Sequence, residues 1–281
     1  MRGDPHRCEP PAEPPWFVVW KTSITFFMYP CYSYPPRLVA GLLWDWILLR
    51  RRSFRKDACD CIGRLEPPLR VLGSEYIPHS GPCVITANHY YRPGFNAWWL
   101  ALAITSVVPA DMHWVMTGEL TFPGKWYAPI GMLVSRIVLK RAARLYDFTL
   151  MPPMPPRPQD VTVRANAVRK VLSYVMKTTY PVLGLAPEGG DMPGGRLDLP
   201  ASGAGRFSLL LAARGLRLVP VGVYEQDGTF CLNFGPAYQL HVPAEMSPDG
   251  KDKRASTIIM EHIAIQMPSH LHGTFHYVEE Q

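Results

Sequence analysis

Short apolar runs and amphipathic stretches take turns along the chain from about residue 68 onward. Leu69–Leu72 and Cys83–Ala87 are compact apolar runs that predict strands, the second ending at Asn88-His89. Phe95–Val108 then predicts a helix, Met112–Thr117 a strand, Met132–Ser135 another strand, and Asp147–Leu150 a further one. Five prolines between 151 and 158 end that stretch. Asp160 is placed to cap a helix near Val161–Lys177, where Val161, Ala165, Val168, Leu172 and Val175 recur at three- and four-residue steps. Pro181–Ala186 predicts a strand, Ser202–Arg214 a helix stopped by Gly215, and Leu218–Val223 a strand. Phe230–Phe234 predicts the final strand and Thr257–Met267 the last helix. Strands alternating with helices predict an α/β domain with a mostly parallel sheet covered by helices. No internal repeat is visible.

The chain before residue 68 follows different rules. Residues 1–15 hold five prolines and no apolar run, which predicts a disordered lead with no secretory signal. Eight aromatics crowd the 19 residues Trp16–Tyr34, Pro35-Pro36 interrupts, and Leu38–Leu49 follows with Asp45 as its one charge. Arg50, Arg51, Arg52, Arg55 and Lys56 come next. The first apolar stretch is marginal against the ~20 residues that a spanning helix needs and is broken by Pro30. Two short aromatic helices abutting an arginine cluster suit an anchor lying on, or dipping into, an anionic leaflet. A helical hairpin packed on the domain, with its arginines solvated, is the other reading, and a full span stays open. The expected division is therefore a lead at 1–15, membrane-associating helices at 16–67 and an α/β domain at 68–281.

Charge sharpens this division. The net charge is +6, and Trp16–Lys56 carries seven cations against one anion, so the other 240 residues sum to zero. A neutral globule with a basic appendage is not built as a nucleic-acid binder. Hydrophobic residues make up 47% and charged ones 19%, which excludes a disordered chain. The six cysteines include no Cys-x-x-Cys pair, so a zinc ribbon is not expected and a reducing compartment is.

In parallel sheets, ligands sit beyond the carboxyl ends of the strands. Two loops occupy that position here: residues 88–96 after one predicted strand, and residues 186–191, reading Ala-Pro-Glu-Gly-Gly-Asp, after another. A histidine at a strand end can act as a base near neutral pH, and a glycine-rich turn can offer N–H groups to an anion. A serine-hydrolase nucleophile elbow, a phosphate-loop motif and a His-Glu-x-x-His motif are all absent. The Trp98-Trp99 pair reads as core, with an acyl groove as the alternative. His262, His270, His272 and His276 lack converging spacing and read as a solvated tail rather than metal ligands.

Taken together, Asn88-His89, Pro187-Glu188-Gly189 about 100 residues later, Gly203-Ala204-Gly205-Arg206 and Val219-Pro220-Val221 resemble the glycerol-phosphate and lysophosphatidic-acid acyltransferase family in order and spacing over residues 68–235. The resemblance implies that His89 takes a proton from an acceptor hydroxyl, which attacks the thioester of acyl-CoA or an acyl-carrier protein, without metal or cofactor. It implies substrate binding by Asn88, Arg136, Glu188 and Gly189, and Arg92 joins them on its residue type, an arginine suited to a phosphate. It also implies an N-terminal element on the membrane and a place on its cytoplasmic face. The chain departs from the family in several ways. Gly94 stands where the family has the aspartate that orients the histidine, and Gly190 and Asp191 replace a threonine and an arginine. The middle motif survives in outline as Gly131–Arg136, which keeps the arginine and loses the aspartate before it. Asn96, Glu188 and Asp191 are candidates to orient His89 in place of the lost carboxylate. Arg92, Arg136, Arg157 and Arg206 are candidates for phosphate or carrier binding. The expected function is acyl transfer to a glycerol-phosphate or lysophospholipid acceptor at a membrane surface. A degenerate lipid-binding relative, or an enzyme for a non-phosphorylated acceptor, is the alternative that Gly94 raises.

Overall fold

The structure is a computed structural model that describes residues 29–122, 124–190 and 193–275. The proposed lead, the apolar residues 16–28, Asp191 and His276 lie outside the described residues. In chain order the elements are α1 (Pro36–Leu48), α2 (Phe54–Ile62), β1 (Arg70–Leu72), β2 (Cys83–Ala87), α3 (Trp98–Val107), β3 (Met112–Thr117), α4 (Ala128–Tyr146), β4 (Thr149–Met151), α5 (Val161–Lys177), β5 (Val182–Leu185), α6 (Ala204–Ala212), β6 (Arg217–Gln226), β7 (Thr229–Phe234) and α7 (Pro248–Ala264).

Seven strands form one sheet in the order β1-β7-β6-β2-β5-β3-β4. Five of them run parallel, and the β6–β7 hairpin reverses the direction for β7 and β1. The central strands β2 and β5 are buried along their whole length, which is why they read as unbroken apolar runs rather than alternating ones. β2 lies between β5, with Cys83 opposite Val182, and β6, with Ala87 opposite Val221. The carboxyl ends of these strands, and hence both candidate loops, therefore open side by side.

Two elements differ from the sequence pattern. Met132–Ser135, expected as a strand, is a turn within the 19-residue helix α4. A four-residue run of this kind fits either period, and half of this one faces solvent: Leu133 and Val134 are exposed. The last helix begins nine residues earlier than its apolar part, because the buried side chain that starts its inner face is Asp252 rather than a hydrophobe.

The N-terminal segment is joined to the domain rather than hung from it. Ser53 accepts from the Lys56 N–H and starts α2 inside the basic cluster. Phe54, Ala58, Cys61 and Ile62 of α2 enter the main core, where α2 packs on α3. Arg52 turns inward, donating to both Asp57 oxygens (2.8 and 2.6 Å) and to Asp45 (2.5 Å), while the Tyr146 hydroxyl donates to Asp57 (2.9 Å). Tyr34 stacks on Trp99 at 4.9 Å, and Trp99 is buried in the core. No helix among the described residues is long and apolar enough to cross a membrane.

Candidate active site

The chain leaves β2 through two residues with different roles. Asn88 is buried and donates from Nδ2 to the Val223 carbonyl (2.8 Å) while its Oδ1 accepts from the Val223 N–H (2.7 Å). One side chain thus copies a backbone rung and extends the β2–β6 pairing past the end of β2. Both polar groups of Asn88 are engaged within the fold, and they fix where the next residue, His89, emerges.

The His89 main-chain N–H donates to Glu188 Oε2 at 2.6 Å, and Glu188 Oε1 accepts from the Asp198 N–H at 3.3 Å. Glu188 follows β5 and is only 3% exposed, so a buried carboxylate bridges the two loops across adjacent strand ends. Burial pushes its pKa up to about 7, opposed by these two N–H donors and by the nearby His89 imidazole. Gly189 next to it has φ +70°, and a Cβ there would fall 2.7 Å from Met154 Cγ, so the turn that presents Glu188 demands glycine.

The rest of the first loop is tied to β6. Arg92 forms an ion pair with Glu225 through Nε and Nη2, and Glu225 also accepts from Tyr32 (2.6 Å) and Tyr90 (3.1 Å). The guanidinium lies 4.0 Å from the Tyr29 ring centroid. Arg92 is thus engaged by the fold. Arg92-Pro93-Gly94-Phe95 is a tight turn closed by the Phe95 N–H on the Arg92 carbonyl (3.0 Å), with Gly94 at φ +82°. The position where the family has its aspartate therefore holds a left-handed backbone. Asn96 Oδ1 accepts from the Trp98 N–H at 3.0 Å, an Asx-type turn that leads into α3.

A corner of paired charges sits at the carboxyl end of β3. Glu119 is buried there and binds Arg136 Nε (2.5 Å) and Arg157 Nη1 (3.3 Å), while Arg157 Nε also reaches Asp160 (2.6 Å). Arg136 comes from a helix rather than a strand end and keeps 57% of its side chain exposed. Arg206 stands elsewhere: the α6 N-terminus that it adorns is already filled by the Asp252 carboxylate, which accepts from Gly203 N (2.7 Å) and Arg206 N (2.6 Å). Between the ends of β3, β4 and β5 lies a narrow cavity of about 120 Å³. Val115, Met151, Leu185 and Phe207 line it, and Pro187 and Gly189 form its wall. Among the described residues no three His, Cys, Asp or Glu side chains gather as metal ligands.

The sequence pattern did not single out Glu119 or Glu225. Glu119 lies two residues past β3 and Glu225 near the end of β6, so each is an acid at the carboxyl end of a mainly apolar strand, and that position was the available signal.

No curated protein sequence matches the chain. Among solved structures, the chain is similar to the crystal structure of the 1-acyl-sn-glycerophosphate (LPA) acyltransferase PlsC from Thermotoga maritima. The two share 16% identity, covering 81% of this chain and 87% of that one, with a TM-score of 0.48. The Acyltransferase family model matches residues 68–224, a stretch that holds β1 through most of β6 and both loops at the strand ends. On that match, over more than half its length, the chain belongs to the acyltransferase family.

Proposed function

We propose that this acyltransferase moves a fatty acyl group from a thioester, acyl-CoA or an acyl-carrier protein, to a hydroxyl of a glycerol-phosphate or lysophospholipid acceptor. It does so at the cytoplasmic face of a membrane, and nucleic acid has no part. His89 is the general base. As the acceptor oxygen attacks the thioester carbonyl, its proton passes to the imidazole. The tetrahedral adduct then collapses, the carbon–sulfur bond breaks, and the imidazolium returns the proton to the leaving thiolate. The observation that carries this reading is the buried Glu188 carboxylate, bound to the His89 main chain at 2.6 Å. It fixes the backbone from which the ring projects and, in its ionised form above about pH 7, supplies an electrostatic part of what the aspartate absent at Gly94 would have given. The alkyl chain suits the narrow apolar cavity beside Gly189. Arg136 and Arg157 at the β3 terminus are the cations for a phosphate.

A non-phosphorylated acceptor is the second reading, favoured by the same corner: Glu119 and Asp160 balance Arg136 and Arg157, and Arg92 is held by Glu225. Purified protein incubated with labelled acyl-CoA and lysophosphatidic acid, glycerol 3-phosphate or monoacylglycerol separates the two. Preference for the phosphorylated acceptors, lost in Arg136→Gln, supports the first reading. Equal or better transfer to monoacylglycerol supports the second. Transfer to none of them, from either type of donor, contradicts both.

A further inference from the structure

Away from the candidate active site, at the β4 edge of the sheet, an open cleft of about 540 Å³ lies among the ends of α1 and α4 and the first half of α5. Four cations line it, Arg51, Lys140, Arg144 and Lys170, against a single carboxylate, Asp147. The carboxylate does not neutralise the cleft. Its pairing with Arg51 spans 3.4 Å between side chains 74% and 56% exposed, a contact of little strength. Lys170 donates to the Phe148 carbonyl (3.0 Å), which holds its ammonium at the cleft wall. Complementing the end of the α4 dipole accounts for Arg144 alone. It does not account for cations brought from three separate elements to one concavity.

The surroundings say what kind of anion fits. Leu49, which lines the cleft, continues the exposed apolar side chains Leu43, Trp44, Ile47 and Leu48 of α1. On α4, Ile130, Leu133, Val134, Ile137 and Val138 are all exposed, at spacings that place them in one stripe along the helix. The α1 stripe runs into the cleft at Leu49, and the α4 stripe stops at Val138, just before the cleft-lining Lys140 and Arg144. An apolar surface that terminates in a pocket of positive charge matches an amphiphile, with chains along the stripes and an anionic head in the pocket.

We propose that this cleft is a second, non-catalytic site that takes the phosphate of an anionic phospholipid headgroup, seating α1 and α4 on the bilayer. The proposal shares the membrane setting of the proposed function but uses none of its catalytic residues. The test is sedimentation of the full chain with phosphatidylcholine vesicles, with and without added phosphatidylglycerol. It is run for wild type, the double variant Lys140→Gln/Arg144→Gln, and Lys253→Gln as an exposed control on α7. Each cation near an anionic surface contributes about fivefold to binding, so the double variant should bind phosphatidylglycerol vesicles about 30-fold more weakly. The control should lose no more than about fivefold. Thermal melts equal to wild type confirm that the variant folds, and its acyl transfer to acceptor presented in detergent micelles should be unchanged. Loss in the double variant no larger than in the control overturns the proposal. So does inorganic phosphate that binds wild type, but not the double variant, while vesicle binding is the same for both, since the cleft would then serve a free anion. Acyl transfer lost from wild type itself would speak against the catalytic reading alone and leave the vesicle result standing.

Discussion

Glu188 carries a carboxylate into a place where burial opposes its charge, and this has a measurable consequence for stability. Its pKa is raised from the ordinary 4.5 to about 7, so the group favours the fold fully below pH 4.5, and that contribution is lost as pH rises through about 7. Glu188→Gln has no such titration. The stability gap between wild type and variant, from urea unfolding at successive pH values, should therefore shift against wild type between pH 4.5 and about 7. A gap constant across that range contradicts the burial argument. At Gly94, restoring the family's aspartate should not improve catalysis. The turn needs φ +82° there, so Gly94→Asp should lose about 1–2 kcal/mol of stability with no gain in kcat/KM, as thermal melts and steady-state rates would show. Asn88→Ala strands the N–H and C=O of Val223 in the core, and about 1–3 kcal/mol for each such group predicts a large drop in urea midpoint. The sequence showed these residues as a motif but not their division of labour. That Asn88 serves as a backbone rung, and that Arg92 belongs to Glu225, depends on partners about 135 positions away in the chain.

At the scale of elements, what was legible was whatever repeats locally. β2 and β5 are fully buried apolar runs, β3 is buried over its first half, and all three were readable as strands. α5 was readable as a helix, but its buried residues are Ala167, Val171 and Val175, and Val161, expected on the inner face, is exposed. Two helices blurred because their chemistry breaks the apolar rule in opposite directions. α4 exposes hydrophobes, which made one of its turns look like a strand. α7 buries an acid, which hid its first turns. That acid has a structural role, since Asp252 reaches from α7 to the bare N–H groups at the start of α6. Hydrogen bonds to a charged group contribute about 1.5–3 kcal/mol. Asp252→Ala should therefore destabilise the protein by about 2–4 kcal/mol while leaving KM for the acyl donor unchanged, as calorimetry and steady-state kinetics would report. A loss below about 0.5 kcal/mol would mean that solvent replaces the cap.

For the molecule as a whole, the order of strands explains why residues a hundred positions apart form one site. β5 returns beside β2 only after the chain has passed through β3 and β4, so the loops bearing His89 and Glu188 meet at neighbouring strand ends. The basic N-terminal segment, set apart by its composition, is in part woven into the same body through Arg52, Tyr32 and α2. Composition marks charge and aromaticity, whereas docking depends on which side chains turn inward, and that was not readable from the chain alone. The claim on which the proposed function rests is that the imidazole at the end of β2 moves the acceptor's proton. The most direct measurement is the single-turnover rate of acyl transfer by His89→Ala with saturating donor and acceptor, alongside a melt to confirm folding. A positioned base contributes about 10²–10⁴-fold, so the rate should fall by about that factor with little change in donor affinity. A folded His89→Ala protein that transfers the acyl group at the wild-type rate would contradict it.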